Sequence, residues 1–233
     1  MTEDAFAGSK SSARAKTAYV PVGKDETVGR TLGINTSAWF RRDPKAMAYT
    51  AAKYKFVAKM LEGSERVLEV GCGDGFGAPI VAQHVKRLYG VDFYKPHIEE
   101  AHRNLSLPNV EFRAGDFFDG NGDWPGTFNA IYALDVLEHV DPAQEAQFLT
   151  MVVDCLVPDG VFICGMPTLA SQAFASEYNR AAHINCQNPA DITATLKKYF
   201  KAVFSFGMND EVLHTGFDMM RQYQLNLCAC PRG

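Results

Sequence analysis

Residues 67–77, VLEVGCGDGFG, constrain the fold more than any other stretch: an apolar run with the composition of a buried strand passes directly into a turn carrying Gly71, Gly73 and Gly75. Glycine at such positions allows positive φ and lets a ligand approach the backbone where a Cβ would collide. A strand, a glycine turn and a following helix belong to a sheet that binds its ligand at the carboxyl ends of its strands. Counting G-x-G-x-x-G from Gly71 places Phe76 at the third glycine, which weakens a dinucleotide reading. Glu69, two residues before the turn, would repel a pyrophosphate and favour a ligand bearing an ammonium group.

Downstream, short apolar runs alternate with helical patterns. Strands are expected near 66–70, 87–92, 109–113, 128–133, 160–166, 201–206 and 222–229, with helices near 77–84, 96–105, 142–156 and 189–199. An amphipathic helix over 43–61 precedes the first strand. This alternation argues a doubly wound, mostly parallel α/β sheet covered on both faces. Only 15 or so residues part the last two strands, too few for a crossover helix, so they should pair antiparallel. Asp141 before Pro142 and Asn188 before Pro189 mark two helix starts. Residues 1–36, polar and glycine-containing, are expected as a flexible extension folding over a ligand near 30–40, with one domain over 37–233.

A formal charge of −4 gives no basic field for a polyanion. The six cysteines contain no C-x-x-C pair, so zinc ribbon and thioredoxin-type centres are not supported and buried thiols are expected. No apolar run reaches the roughly 18 residues of a membrane span, and the N-terminus has no signal-like apolar region. A cytoplasmic protein with no membrane or nucleic-acid partner is the expectation, with oligomeric state left open.

Three further acids fall at strand ends. Asp92, twenty-one residues after Gly71, can accept both hydroxyls of a ribose. Asp116 can take an exocyclic amine, and Phe117 can face a purine. Asp135, with Glu138 and His139 just beyond, lies near the switch between the first and fourth strands, where ligands of open sheets bind.

VLEVGCGDG, the acid at 92, FRAGDFF (112–118), DVLEHV (135–140) and LVPDG (156–160), in this order, resemble the class I S-adenosylmethionine-dependent methyltransferases. The likeness is to their small-molecule branch, similar to ubiquinone-biosynthesis and sugar or natural-product O-methyltransferases. It covers about residues 45 to 166. It implies a Rossmann-like sheet of seven strands ending in an antiparallel hairpin, with S-adenosylmethionine as cofactor. It also implies Glu69, Gly71, Cys72, Gly73 and Gly75 around the cofactor's amino-acid end, Asp92 at ribose, Asp116 and Phe117 at adenine, and Asp135 beside the sulfonium. The stretch before residue 45 and the segment 167–188 match no general family motif and leave the acceptor open.

A sulfonium methyl is already electrophilic, so the enzyme must chiefly align a nucleophile and, for a hydroxyl, remove its proton. Histidine suits that task. His84, His97 and His102 fall on helices away from the ligand edge. His139, His183 and His214 fall in loops that open toward it, and they are the candidate bases. No metal site is expected, because the histidines and nearby acids lack ligand-like spacing. The 22 residues of 167–188 are long for a connection and suit an acceptor lid. Tyr49, Lys53 and Tyr54, with Trp39, Phe40, Arg41 and Arg42, are placed to close the other side. The most direct reading is methyl transfer to the hydroxyl of a small molecule. The alternatives are a non-catalytic adenosylmethionine-binding protein and an N-, RNA or protein methyltransferase. A nicotinamide oxidoreductase is disfavoured, since Tyr49-x-x-x-Lys53 precedes the glycine turn and reads as a coincidence of the helix surface.

Overall fold

The computed structural model describes residues 31–120 and 124–232. Two helices lead in, α1 (Ile34–Arg42) and α2 (Ala46–Met60). The alternating core follows as β1 (Arg66–Val70), α3 (Ala78–Ala82), β2 (Arg87–Asp92), α4 (Lys95–Asn104), β3 (Val110–Ala114), β4 (Phe128–Leu134), α5 (Glu145–Cys155) and β5 (Leu156–Pro167). Beyond it come α6 (Glu177–Ala182), α7 (Pro189–Tyr199), β6 (Phe200–Asn209), β7 (Val212–His214) and β8 (Tyr223–Pro231). The sheet has eight strands in the order β3-β2-β1-β4-β5-β8-β6-β7. Strands β1 to β5 pair in parallel, and β8 inserts between β5 and β6 antiparallel to both. The expected doubly wound sheet and antiparallel ending are therefore present. The eighth strand, β7, is a three-residue edge too short to show a period of two.

Strand periodicity assigns each side chain to a layer. On β1, Leu68 and Val70 join Ile131, Phe162, Phe148, Val152 and Leu196 beneath α5 and α7. Val67 points the other way, packing with Tyr54, Val57, Val81, Ile98 and Tyr132 beneath α2, α3 and α4. Glu69 shares the parity of Val67, so the strand delivers its carboxylate to the α2 layer.

Helix α2 buries Thr50, Lys53, Tyr54, Val57 and Ala58. Its inward face thus carries Lys53 beside Tyr54 and Val57. Helix α1 was not expected as a helix. It begins at Ile34, inside the segment assigned to the extension, and belongs to the compact unit running from residue 32. The rest of that extension, up to residue 30, lies outside the described residues. Asp141 does not cap α5: it accepts the Ala143 N–H at 2.8 Å in a turn, and the helix starts at Glu145. Asn188 is the N-cap residue of α7, with its side chain donating to Asp191 at 3.1 Å. Among the described residues no helix is long and apolar enough to cross a membrane. Four of the six cysteines, Cys72, Cys155, Cys164 and Cys228, are buried.

Gly77, at the start of α3, lies under the ring of Tyr54, where an added Cβ would come within 1.9 Å of a ring carbon. The ring is held by core packing on one side and by its hydroxyl on the other, so it has little room to withdraw. Gly77→Ala is expected to lower stability by roughly 1–3 kcal/mol in urea unfolding, the range for overpacking a close-packed core.

Candidate active site

The glycine turn takes the conformations its sequence requires: φ is 75° at Gly71, 54° at Gly73 and 76° at Gly75. A Cβ on Gly71 would meet Val136 at 2.4 Å, so the end of β4 packs directly on the turn. Helix α1 closes on it from outside. Thr36 donates to Asp74 twice, from its N–H at 2.8 Å and its hydroxyl at 2.6 Å, both buried.

Asp92, at the end of β2, accepts the Gly73 N–H at 2.9 Å and the Tyr94 N–H at 2.8 Å. It is tied to the turn and keeps lone pairs for a ligand. His97 Nδ1 lies 3.5 Å from Oδ1, the oxygen that accepts from Tyr94. Phe93 and Tyr94 stand exposed on the same lip. Asp116 starts a short 3-10 turn, Phe117–Asp119, and accepts the Phe118 N–H at 2.9 Å.

Glu69 is 1% exposed, with the Tyr54 hydroxyl donating to Oε1 at 2.9 Å and Oε2 left without a well-formed partner. Burial pushes its pKa up to about 7, with the hydroxyls of Tyr132 and Tyr54 pulling back. The phenols of Tyr54 and Tyr132 are held well above their usual range, first by burial and then by this carboxylate.

Across the switch between β1 and β4, Asp135 has φ 56°, a left-handed conformation that aspartate tolerates better than most residues. Its carboxylate pairs with Lys53 of α2, whose side chain is 5% exposed. The ammonium sits 5.1 Å from the Tyr49 ring centre and 4.6 Å from that of Tyr223. Beside this pair, both oxygens of Glu138 are buried without a hydrogen bond. Burial first, and Asp135 second, raise its pKa well above the carboxylate range.

These residues floor a cavity of about 1110 Å³. Its far wall is the excursion after β5, which returns to the floor: the Asn185 N–H donates to the Glu138 carbonyl at 2.9 Å, and Thr168 bridges to Gln187. His183, carried on this excursion, comes to rest with its ring centre 5.0 Å from that of His139. Burial, then the neighbouring His139, lower the His183 pKa and favour the neutral ring.

Residues 67–160 match a family model described as a methyltransferase domain. Over those residues the chain carries a methyltransferase domain, and the class I S-adenosylmethionine-dependent methyltransferases are the family it resembles. It is 34% identical over 114 residues to a protein-L-isoaspartate O-methyltransferase of Paramagnetospirillum magneticum, covering 46% of this chain and 48% of that one. It is 30% identical over 132 residues to a probable S-adenosylmethionine-dependent methyltransferase of Mycolicibacterium smegmatis, covering 55% and 45%. The chain thus spans about half the length of these curated relatives. The solved structure of a DhpI–SAH complex superposes with a TM-score of 0.61 at 22% identity, over 84% of this chain and 92% of that one, which establishes the shared fold.

Within this methyltransferase domain, Gly71, Gly73, Gly75 and Asp92 form one connected unit, and Asp135, His139 and His183 meet in the cavity. Three of the expected residues have their side chains engaged elsewhere. Cys72 is buried and turns its sulfur inward against Gly90. Phe117 is 6% exposed and packs on Phe148 at 5.4 Å, so its ring is spent on the core. His214 accepts the Gly216 N–H at 3.0 Å through Nδ1 and meets Asn209 at 2.8 Å through Nε2, which binds it into its own hairpin outside the cavity. Conversely, His97 was read as lying away from the ligand edge but sits beside Asp92, because α4 starts directly after that strand. Lys53 was placed on the helix closing the acceptor side, but its pairing with Asp135 was not foreseen. A lysine on the same helix stripe as Tyr54 and Val57 was the available signal of a buried partner.

A carboxyl whose pKa rises on folding stabilises the fold while protonated, and this contribution is lost as pH climbs from the unfolded value of about 4.5 through the folded value of about 7. Glu69→Gln is expected to flatten the decline in the melting temperature of the ligand-free protein over that window. An unchanged slope would contradict the assignment.

Proposed function

We propose that the chain transfers a methyl group from S-adenosylmethionine to a hydroxyl of a small acceptor bound in the cavity over Asp135, Glu138, His139 and His183. One observation carries this reading: the cavity's floor at Asp135 is one residue from Val136, which packs on the Gly71 turn. A sulfonium lying over the turn would therefore present its methyl to the cavity. In this reading the backbone of Gly71, Cys72 and Gly73 receives the amino-acid end, and Glu69, anchored by Tyr54, provides negative potential beneath it. Asp92 takes the ribose and Asp116 the adenine amine, while Phe93 offers the exposed aromatic face that Phe117 does not. Asp135 lies beside the sulfonium. The acceptor's oxygen attacks in line, its O–CH₃ bond forming as the S–CH₃ bond breaks, and the proton is taken at the histidine cluster.

Exposed Phe174 and Tyr178, with Met219 and Met220 opposite, rim the cavity. This apolar mouth suits a small molecule with a hydrophobic portion better than a polyanion or an extended peptide, and so favours that acceptor class over the protein substrate named for the isoaspartate relative.

Asp92→Ala is expected to weaken adenosylhomocysteine binding at least tenfold by calorimetry, and unchanged affinity would refute the ribose assignment. His183→Ala should lower turnover of a hydroxylated acceptor by roughly 10²- to 10⁴-fold with adenosylhomocysteine affinity preserved. A mass-spectrometric screen of phenolic and alcoholic acceptors for the added methyl supplies the assay. Full turnover in both His139→Ala and His183→Ala would remove the cluster from the mechanism.

A further inference from the structure

Glu138, His139 and His183 each place one ligating atom within 4.8 Å of the other two. We propose that this trio binds a divalent transition-metal ion, to which the acceptor's hydroxyl coordinates before methylation.

Three observations support the site. Its donor set, two imidazoles and a carboxylate, suits zinc, iron, cobalt or manganese rather than calcium or magnesium, which favour oxygen ligands. Ligands at about 2.1 Å from one tetrahedral ion stand about 3.4 Å apart, so the most widely spaced pair needs to draw in by no more than about 1.4 Å, within reach of side-chain rotation. Each ring is already held as a ligand should be. His139 Nδ1 donates to the Ala182 carbonyl and His183 Nδ1 to the Gln172 side-chain oxygen, both at 3.0 Å, which orients the rings and leaves Nε2 as the coordinating atom. Glu138 is fully buried with neither oxygen hydrogen-bonded, and the nearby Lys53 is committed to Asp135. A buried carboxylate without a partner is costly, and a bound cation supplies what the protein does not.

Three protein ligands leave coordination positions open toward the cavity, as in catalytic rather than structural sites. The inference rests on the cavity being the acceptor site and changes how the proton leaves. Coordination acidifies the acceptor's O–H, its proton passes to water, and the resulting oxyanion attacks the methyl as the sulfonium becomes a thioether. The sequence concealed this site because its third ligand comes 44 residues after the second, on an excursion folded back by the Asn185 to Glu138 hydrogen bond.

The test is Co²⁺ titration of the chelator-treated full chain, followed by visible absorption and calorimetry. One Co²⁺ per chain is expected, with affinity falling at least tenfold in His139→Ala and in His183→Ala, several-fold in Gln172→Leu, and not at all in His214→Ala. Glu138→Gln should raise the melting temperature of the metal-free protein and abolish its increase on adding Co²⁺. No stoichiometric binding to the folded chain, or equal binding by the His139→Ala/His183→Ala double variant, would overturn the proposal. Adenosylhomocysteine affinity of the same metal-free samples reports separately on the methyltransferase reading, which stands if the nucleoside binds and Co²⁺ does not.

Discussion

The ion pair between Lys53 and Asp135 joins the two halves of the site. Asp135 occupies a left-handed backbone conformation that costs an L-residue on the order of 1–2 kcal/mol, and the surroundings must hold it there. Its N–H is fixed to the Gly165 carbonyl at 2.9 Å, while its carboxylate is drawn toward α2 by an ammonium seated against two aromatic rings. This bend turns the chain out of β4 into the 3-10 turn Leu137–His139, which sets Glu138 and His139 on the cavity floor. The same bend places Val136 against Gly71. The glycine turn and the cavity therefore meet at neighbouring residues, Val136 against the turn and Asp135 in the cavity lining.

The acidic character of the floor has a physical consequence. Asp135 pairs with Lys53, while Glu138, deeper and without a hydrogen bond, is driven toward its neutral form by burial and by Asp135. Glu69, under the turn, is similarly raised. Unliganded, the domain holds two buried carboxyls in environments that favour the proton. Each faces a position where the proposed reaction brings positive charge: the cofactor's ammonium at one, a metal ion at the other.

What could be read from the sequence was what local chemistry encodes. The Gly71–Gly75 turn, the acid at the end of β2, the parallel alternation and the final antiparallel pairing all follow from short-range pattern. Properties set by tertiary direction were not legible. Phe117 was assigned to a purine from its residue type, yet its ring turns inward to Phe148. His214 and His183 look alike as loop histidines, but a hairpin consumes both nitrogens of the first while a long excursion carries the second to His139. Helix α1 lacks a capping side chain and a strong apolar stripe; its anchor is the contact of Thr36 with Asp74, 38 residues away. Lys53 was the one long-range residue with a local signature, a charge on a buried stripe.

The central claim is geometric: an adenosyl sulfonium lies over the glycine turn with its methyl facing the Asp135–His139–His183 cavity. A crystal structure of the chain with adenosylhomocysteine tests it most directly. The account predicts the ribose hydroxyls on Asp92 and the sulfur over Asp135, opening into the cavity. A nucleoside bound elsewhere, or a sulfur walled off from His139 and His183, would contradict it.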